Sequence, residues 1–156
     1  MSEVAKYQNV FRGILVSAVI TFAAYLITSI ISFIVGFFIL PGVFLFVDLQ
    51  FLIGTVFGVI YFIKKRRPDQ SILLYCVVVG IVGGIFAALF ISIYQWILLV
   101  DIYMFVIYFI PCLITGVFIG FLIGVIISVY YMYKEVKGER PEKHYDDDFF
   151  KELIEE

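Results

Sequence analysis

Few residues in this chain have the types and spacing that chemistry needs. The single histidine, His144, lies in Glu142-Lys143-His144-Tyr145-Asp146-Asp147-Asp148. Imidazole beside carboxylates can hold a metal ion weakly. A zinc site, however, uses paired His or Cys ligands at short spacing, and a calcium loop uses carboxylates in a fixed order. Neither pattern is present, and the stretch reads as a solvated acidic segment. The chain has no Gly-rich phosphate loop, no nucleophile elbow and no HExxH. The expectation is a protein that is not an enzyme, with no cofactor and no metal.

Cys76 and Cys112 are too few for a disulfide framework. They fall near the starts of the third and fourth apolar segments, ends that would face opposite sides of a membrane. A disulfide requires Cα atoms within about 7 Å, so both are expected to be free thiols, buried as small apolar residues.

Two isolated carboxylates remain, Asp48 and Asp101, each flanked by long uncharged stretches. An ionisable group in the middle of a membrane usually marks a relay or a pathway. These two fall near the ends of apolar segments, where water reaches them. They are read as interfacial carboxylates at helix ends, with a cation-attracting vestibule as the competing reading. Neutral polar residues do occur within the apolar segments: Ser17, Thr21, Thr28, Ser29 and Ser32 with Tyr25 in the first, Ser92 and Gln95 in the third. Hydrogen bonds between helices account for them.

The elements that must hold these residues follow from composition. Of 156 residues, 63% are hydrophobic, 19% aromatic and only 15% charged, which is far more apolar than a soluble domain. Lipid is the solvent that accommodates such a chain. A net charge of -2 with no basic domain argues against a nucleic-acid partner. The first apolar run, from near Val10 to Leu40, is much longer than the apolar region of a signal peptide and is expected to stay as a membrane helix.

Charges punctuate the chain into four apolar segments, with spans at about 10–40, 42–63, 71–100 and 102–133. Each reaches the ~20 residues that cross a ~30 Å hydrocarbon core, and the first, third and fourth exceed that length. Leu40-Pro41-Gly42 is a turn signal and Lys64-Lys65-Arg66-Arg67-Pro68-Asp69 a polar loop. Asp101 marks the third break without Gly or Pro beside it. Pro111 inside the last segment predicts a kink or a later helix start.

All eleven Lys and Arg residues lie in three places: Lys6 and Arg12; Lys64, Lys65, Arg66 and Arg67; and Lys134, Lys137, Arg140, Lys143 and Lys151. With four spans these places share one side, which the positive-inside rule makes the cytoplasm. The fold class is therefore all-α: a polytopic four-transmembrane-helix bundle in the cell membrane with both termini cytoplasmic. Residues 1–9 form a short cytoplasmic N-terminus, 10–134 the transmembrane domain and 135–156 a cytoplasmic acidic tail. Trp96, Tyr94 and Tyr103 fall near the outer interface, and Tyr7, Tyr61, Tyr75, Tyr130, Tyr131 and Tyr133 near the inner one, as an aromatic belt would.

The segment FLIGTVFGVIYFIKK (51–65) matches FLIGVIISVYYMYKE (121–135) at seven of fifteen positions, an offset that also pairs Pro41 with Pro111. Val10-x-x-Gly13-Ile14 resembles Val77-x-x-Gly80-Ile81 at a slightly shorter offset. Two tandem helical hairpins in parallel orientation would produce this, although segments built from Phe, Ile, Leu, Val and Gly also match by composition alone.

Small residues at four-residue spacing mark candidate helix-packing faces: Gly54 and Gly58; Gly80, Gly83 and Gly84 with Ala87 and Ala88; and Gly116, Gly120 and Gly124. Contact within the monomer and a homo-oligomer face both fit this pattern. In the tail, Phe149, Phe150, Leu153 and Ile154 share one face of a short amphipathic helix with acidic polar residues, a candidate docking element for a soluble partner. The expected partners are the lipid bilayer, a second copy or another membrane protein, and a soluble protein at the tail. The function read from this is a non-catalytic subunit, scaffold or tether. The alternative is a small channel or transporter for an uncharged or cationic solute.

Overall fold

The computed structural model describes residues 3–35, 42–66 and 70–137. Among them the chain is all-helical, with four helices: α1 (Glu3–Val35), α2 (Gly42–Lys65), α3 (Ile72–Leu99) and α4 (Ile102–Val136). Three stretches are long and apolar enough to cross a membrane, Tyr7–Ile31, Ile72–Leu99 and Phe105–Val136. α2 is not among them and carries Asp48, Lys64 and Lys65 in its 24 residues. α1 begins at Glu3, a full turn and more ahead of the expected start at 10. α4 continues through Pro111 without interruption, so the proline neither ends nor delays the helix. Its missing N–H and ring are absorbed within a helix of 35 residues.

The third break has a specific local cause. Val100 adopts the left-handed conformation (φ 53°, ψ 28°) as the C-cap of α3, and Asp101 then turns extended and caps α4. The Asp101 carboxylate accepts a hydrogen bond from the Tyr103 backbone N–H at 2.9 Å. Glycine normally occupies a left-handed helix end, because a Cβ there meets the following carbonyl oxygen. A β-branched residue in that place explains why the break shows no Gly or Pro signal. Val100→Gly is expected to raise stability by about 0.5–1 kcal/mol, the left-handed penalty less glycine's backbone entropy. Chemical denaturation of the purified chain would register this, and a destabilised variant would refute the strain argument.

α1 lies between α2 and α3, and α4 also contacts both; α2 and α3 touch across the centre, while α1 and α4 share no contact among the described residues. The chain therefore forms two antiparallel hairpins, α1–α2 and α3–α4, laid side by side. α1 runs parallel to α3, as the succession of neighbours shows: Gly13 beside Val79, Ser17 beside Gly83, Phe22 beside Phe90 and Tyr25 beside Tyr94. Two apolar clusters are stacked along the bundle. One gathers Val10, Ile14, Val59, Phe62, Ile72, Cys76 and Val79; the other gathers Ala18, Tyr25, Phe51, Ala87, Ala88, Ile91 and Cys112. Cys76 and Cys112 are free and buried, one in each cluster.

The two hairpins do not repeat each other's register. Under the sequence offsets the Gly13–Gly58 approach would recur as Gly80–Ser128. Gly80 instead lies against Gly120, eight residues away along α4 (128 − 120), or about 12 Å of helix. The likeness of 51–65 to 121–135 is thus not matched by an equivalent packing of the hairpins.

The basic segments meet at one end of the bundle. There the Asn9 side chain donates to the Lys65 carbonyl at 2.6 Å, closing the open C-terminus of α2. Arg66 donates to the Gln70 carbonyl at 2.8 Å and to Glu135 of α4 at 3.1 Å. Burial of the Arg66 guanidinium pulls its pKa down. Since α1 and α4 share no contact among the described residues, the end of α2 and Arg66 after it link them here, through Asn9 on one side and Glu135 on the other.

Candidate functional site

The interior is built from two kinds of contact, backbone on backbone at the glycines and side-chain polar bonds that α1 makes with its neighbours. The glycine positions singled out in the sequence are distributed as follows. A Cβ on Gly80 would meet the Gly120 carbonyl, and one on Gly120 would lie 2.5 Å from the Gly80 carbonyl carbon. Gly84 and Gly116 are related in the same reciprocal way, with the Gly84 oxygen 2.8 Å from a Cβ on Gly116. Gly124 continues the seam one turn further, 2.9 Å from the Cys76 oxygen on the same measure. These residues bring the backbones of α3 and α4 together, and the Phe51 ring of α2 closes on the seam at Gly116.

Gly54, Gly58 and Gly83 close on α1 instead. A Cβ on Gly54 would lie 2.7 Å from the Ser17 oxygen, one on Gly58 2.8 Å from the Gly13 oxygen, and one on Gly83 2.6 Å from Ser17 Oγ. Ser17 is therefore the point at which α1, α2 and α3 come together. The tail residues Phe149, Phe150, Leu153 and Ile154, and His144 with its acidic neighbours, lie outside the described residues.

The polar residues of α1 occupy one face, because Ser17, Thr21, Tyr25 and Thr28 recur at four, four and three residues. Gln95 of α3 donates from Nε2 to the Tyr25 hydroxyl, and Gln50 of α2 donates from Nε2 to Thr28 Oγ1. All of Tyr25, Gln50 and Gln95 are buried. Two amides from two different helices thus hold adjacent turns of α1. Thr21 and Thr28 also bond carbonyls of their own helix. Tyr94, expected in an interfacial belt, instead sits edge-on against Phe22 and Tyr25 in the α1–α3 contact, and Tyr75 lies against Phe62. Trp96, Tyr103, Tyr7, Tyr130 and Tyr133 are on the surface.

Gln50, Thr55 and Ser128 were not among the interior polar residues picked out by sequence, yet each is buried. Gln50 was legible in principle, as an amide one half-turn inside Asp48. Ser128 bonds the Val125 carbonyl at 2.8 Å. Among the described residues, Ser17 Oγ, Thr55 Oγ1 and Gln50 Oε1 find no hydrogen-bond partner.

Fold and interior together define an all-helical bundle, closed by glycine seams, whose three longest apolar helices could span a membrane. No protein-family model, curated protein or solved structure matches the chain.

Proposed function

We propose that this chain is a four-span integral membrane protein with both ends in the cytoplasm, acting as a non-catalytic subunit, scaffold or tether. The reciprocal seam of Gly80 with Gly120 and Gly84 with Gly116 carries the reading, because it brings the α3 and α4 backbones into direct contact. Close packing of this kind substitutes in lipid for the hydrophobic effect between helices. Large apolar side chains on the outer faces support the membrane setting: Phe11, Leu15, Val19 and Ile27 on α1, Ile110, Ile114, Phe118 and Ile126 on α4 are all exposed. α2 serves as the fourth span, since residues 42–63 reach about 33 Å as a helix and only Asp48 is charged among them. Convergence of Asn9, Lys65, Arg66 and Glu135 at one end supports a shared side for the three basic segments. Its partners on this reading are a membrane protein or second copy at the outer faces and a soluble protein at the tail.

A channel or transporter for an uncharged or cationic solute is the second reading. It draws on the buried polar atoms Ser17 Oγ, Thr55 Oγ1 and Gln50 Oε1. Flux measurements on the full chain in liposomes separate the two. The scaffold reading expects neutral-solute and cation flux equal to that of protein-free vesicles. It also expects the chain in native membranes to migrate as a complex larger than the purified protein. Saturable flux would overturn it. For the topology, a membrane-impermeant maleimide should label Lys65→Cys only from the cytoplasmic side and Val100→Cys only from the outside.

A further inference from the structure

Hydroxyl groups inside a helix can bond their own backbone, and here several do. Thr21 donates to Ser17, Thr28 to Ala24 and Tyr25, Ser92 to Ala88 and Ser128 to Val125. Gln50 has no such recourse. Its amide nitrogen donates to Thr28, and the residue is 3% exposed, yet Oε1 meets no donor among the described residues. A primary amide carries two donors on nitrogen and two acceptor sites on oxygen. Turning it by 180° would set the oxygen against the Thr28 hydroxyl, whose single proton already goes to the Ala24 and Tyr25 carbonyls, and would leave the NH2 group facing the same place. In either orientation one end of the Gln50 amide faces a position where no described residue supplies a partner. Bare buried amide ends are costly, and native interiors satisfy them with ordered water.

We propose that a bound water occupies this position, hydrogen-bonded to Gln50 and to the Thr28 hydroxyl beside it. Among the described residues the site is uncharged: its polar groups are the Gln50 amide and the Thr28 hydroxyl, with the Tyr25–Gln95 bond one turn away on α1. A neutral molecule that both donates and accepts is what such groups recognise, and two to four polar partners suffice to hold a water. Asp48, two residues earlier on α2, is exposed, so the site lies about 3 Å of helix rise from solvent-reached chain. The route from the outer aqueous phase rests on the four-span placement proposed above; the hydration itself does not.

The test uses the full chain in phosphatidylcholine vesicles, with its glutamine side chains and glycines labelled with nitrogen-15. Water-edited solid-state NMR should show magnetisation reaching the Gln50 side-chain amide several-fold faster than the Gly84 backbone amide, which sits in the close-packed α3–α4 seam. Equal or slower transfer to Gln50 would overturn the proposal. A second measurement is the unfolding temperature of Gln50→Met, which keeps length and removes both polar ends. A hydrated amide predicts an unchanged or lower unfolding temperature. A clear rise would mean that the amide was bare, and would overturn the site. Neither readout depends on which way the chain crosses the membrane, so failure here is distinct from failure of the maleimide labelling.

Discussion

Gly84→Ala is expected to destabilise the folded chain by about 1–3 kcal/mol, the usual cost of forcing extra volume into a close-packed interior. The added Cβ would meet the Gly116 carbonyl, with the carbonyl carbon only 2.6 Å away. Both atoms are main chain, so neither can swing aside as a side-chain terminus would. Alanine's better helix propensity returns about 1 kcal/mol at most, which does not offset the overlap. The same argument applies to Gly80 and Gly120. Gly13 provides the control: a Cβ there would lie 3.1 Å from Phe62 Cβ, 3.2 Å from the Gly58 oxygen and 3.3 Å from Val79. Those contacts relax by small shifts, and Gly13→Ala should stay within about 1 kcal/mol of the parent once propensity is counted. Unfolding titrations in mixed micelles compare the two directly. Equal stabilities for the Gly84 and Gly13 variants would mean that the α3–α4 seam is looser than described.

The second large effect is expected at the Tyr25–Gln95 bond. Gln95→Leu leaves the buried Tyr25 hydroxyl without its amide donor, and Tyr25→Phe leaves the buried Gln95 amide without its acceptor. Each should cost about 1–2 kcal/mol, the range for a buried polar group losing its partner. The double variant should cost less than the two together, by roughly 0.6–1.7 kcal/mol, the coupling found for polar contacts between membrane helices. Strict additivity in this cycle would show that the bond contributes nothing beyond packing. The result bears on how α1 is held, because among the described residues it contacts α2 and α3 and not α4.

Much of the element layout can be read directly from the residues. Charges interrupt an otherwise apolar chain, so the helix ends near Lys64, Asp101 and Lys134 follow from where those residues stand, whereas Asp48 lies inside α2 and marks no end. The break between α3 and α4 falls at Asp101, a single carboxylate between two apolar runs, and its mechanism, Val100 in a left-handed cap, leaves no compositional trace. The N-terminal boundary was less legible. Glu3 to Asn9 contains polar residues that hydropathy excludes, yet the helix extends there and uses Asn9 to close α2. Helical backbone continues past the apolar limit wherever a neighbour provides bonds.

Faces and partners were harder to infer for a physical reason. A helix that is apolar all round has no amphipathic stripe from which its buried side can be deduced. Glycine spacing marks a surface on which another backbone can approach, but any backbone satisfies that requirement. Nothing in the residues assigns Gly54 and Gly58 to α1 and Gly116, Gly120 and Gly124 to α3. The same ambiguity made the 51–65 and 121–135 likeness suggest a repeat that the hairpin registers do not follow.

By itself the sequence determined an all-helical chain, its breaks, and an interior poor in charge. These are local properties, set by which residues can be removed from water and which cannot. Tertiary structure alone decided that Tyr94 turns inward, that Gln50 and Gln95 hold successive turns of α1, and that the α3–α4 seam is closed by glycine pairs. Those outcomes depend on the relative depth and rotation of helices far apart in the chain. Shape and hydrogen-bond complementarity between whole surfaces fix depth and rotation, and no single segment contains that information.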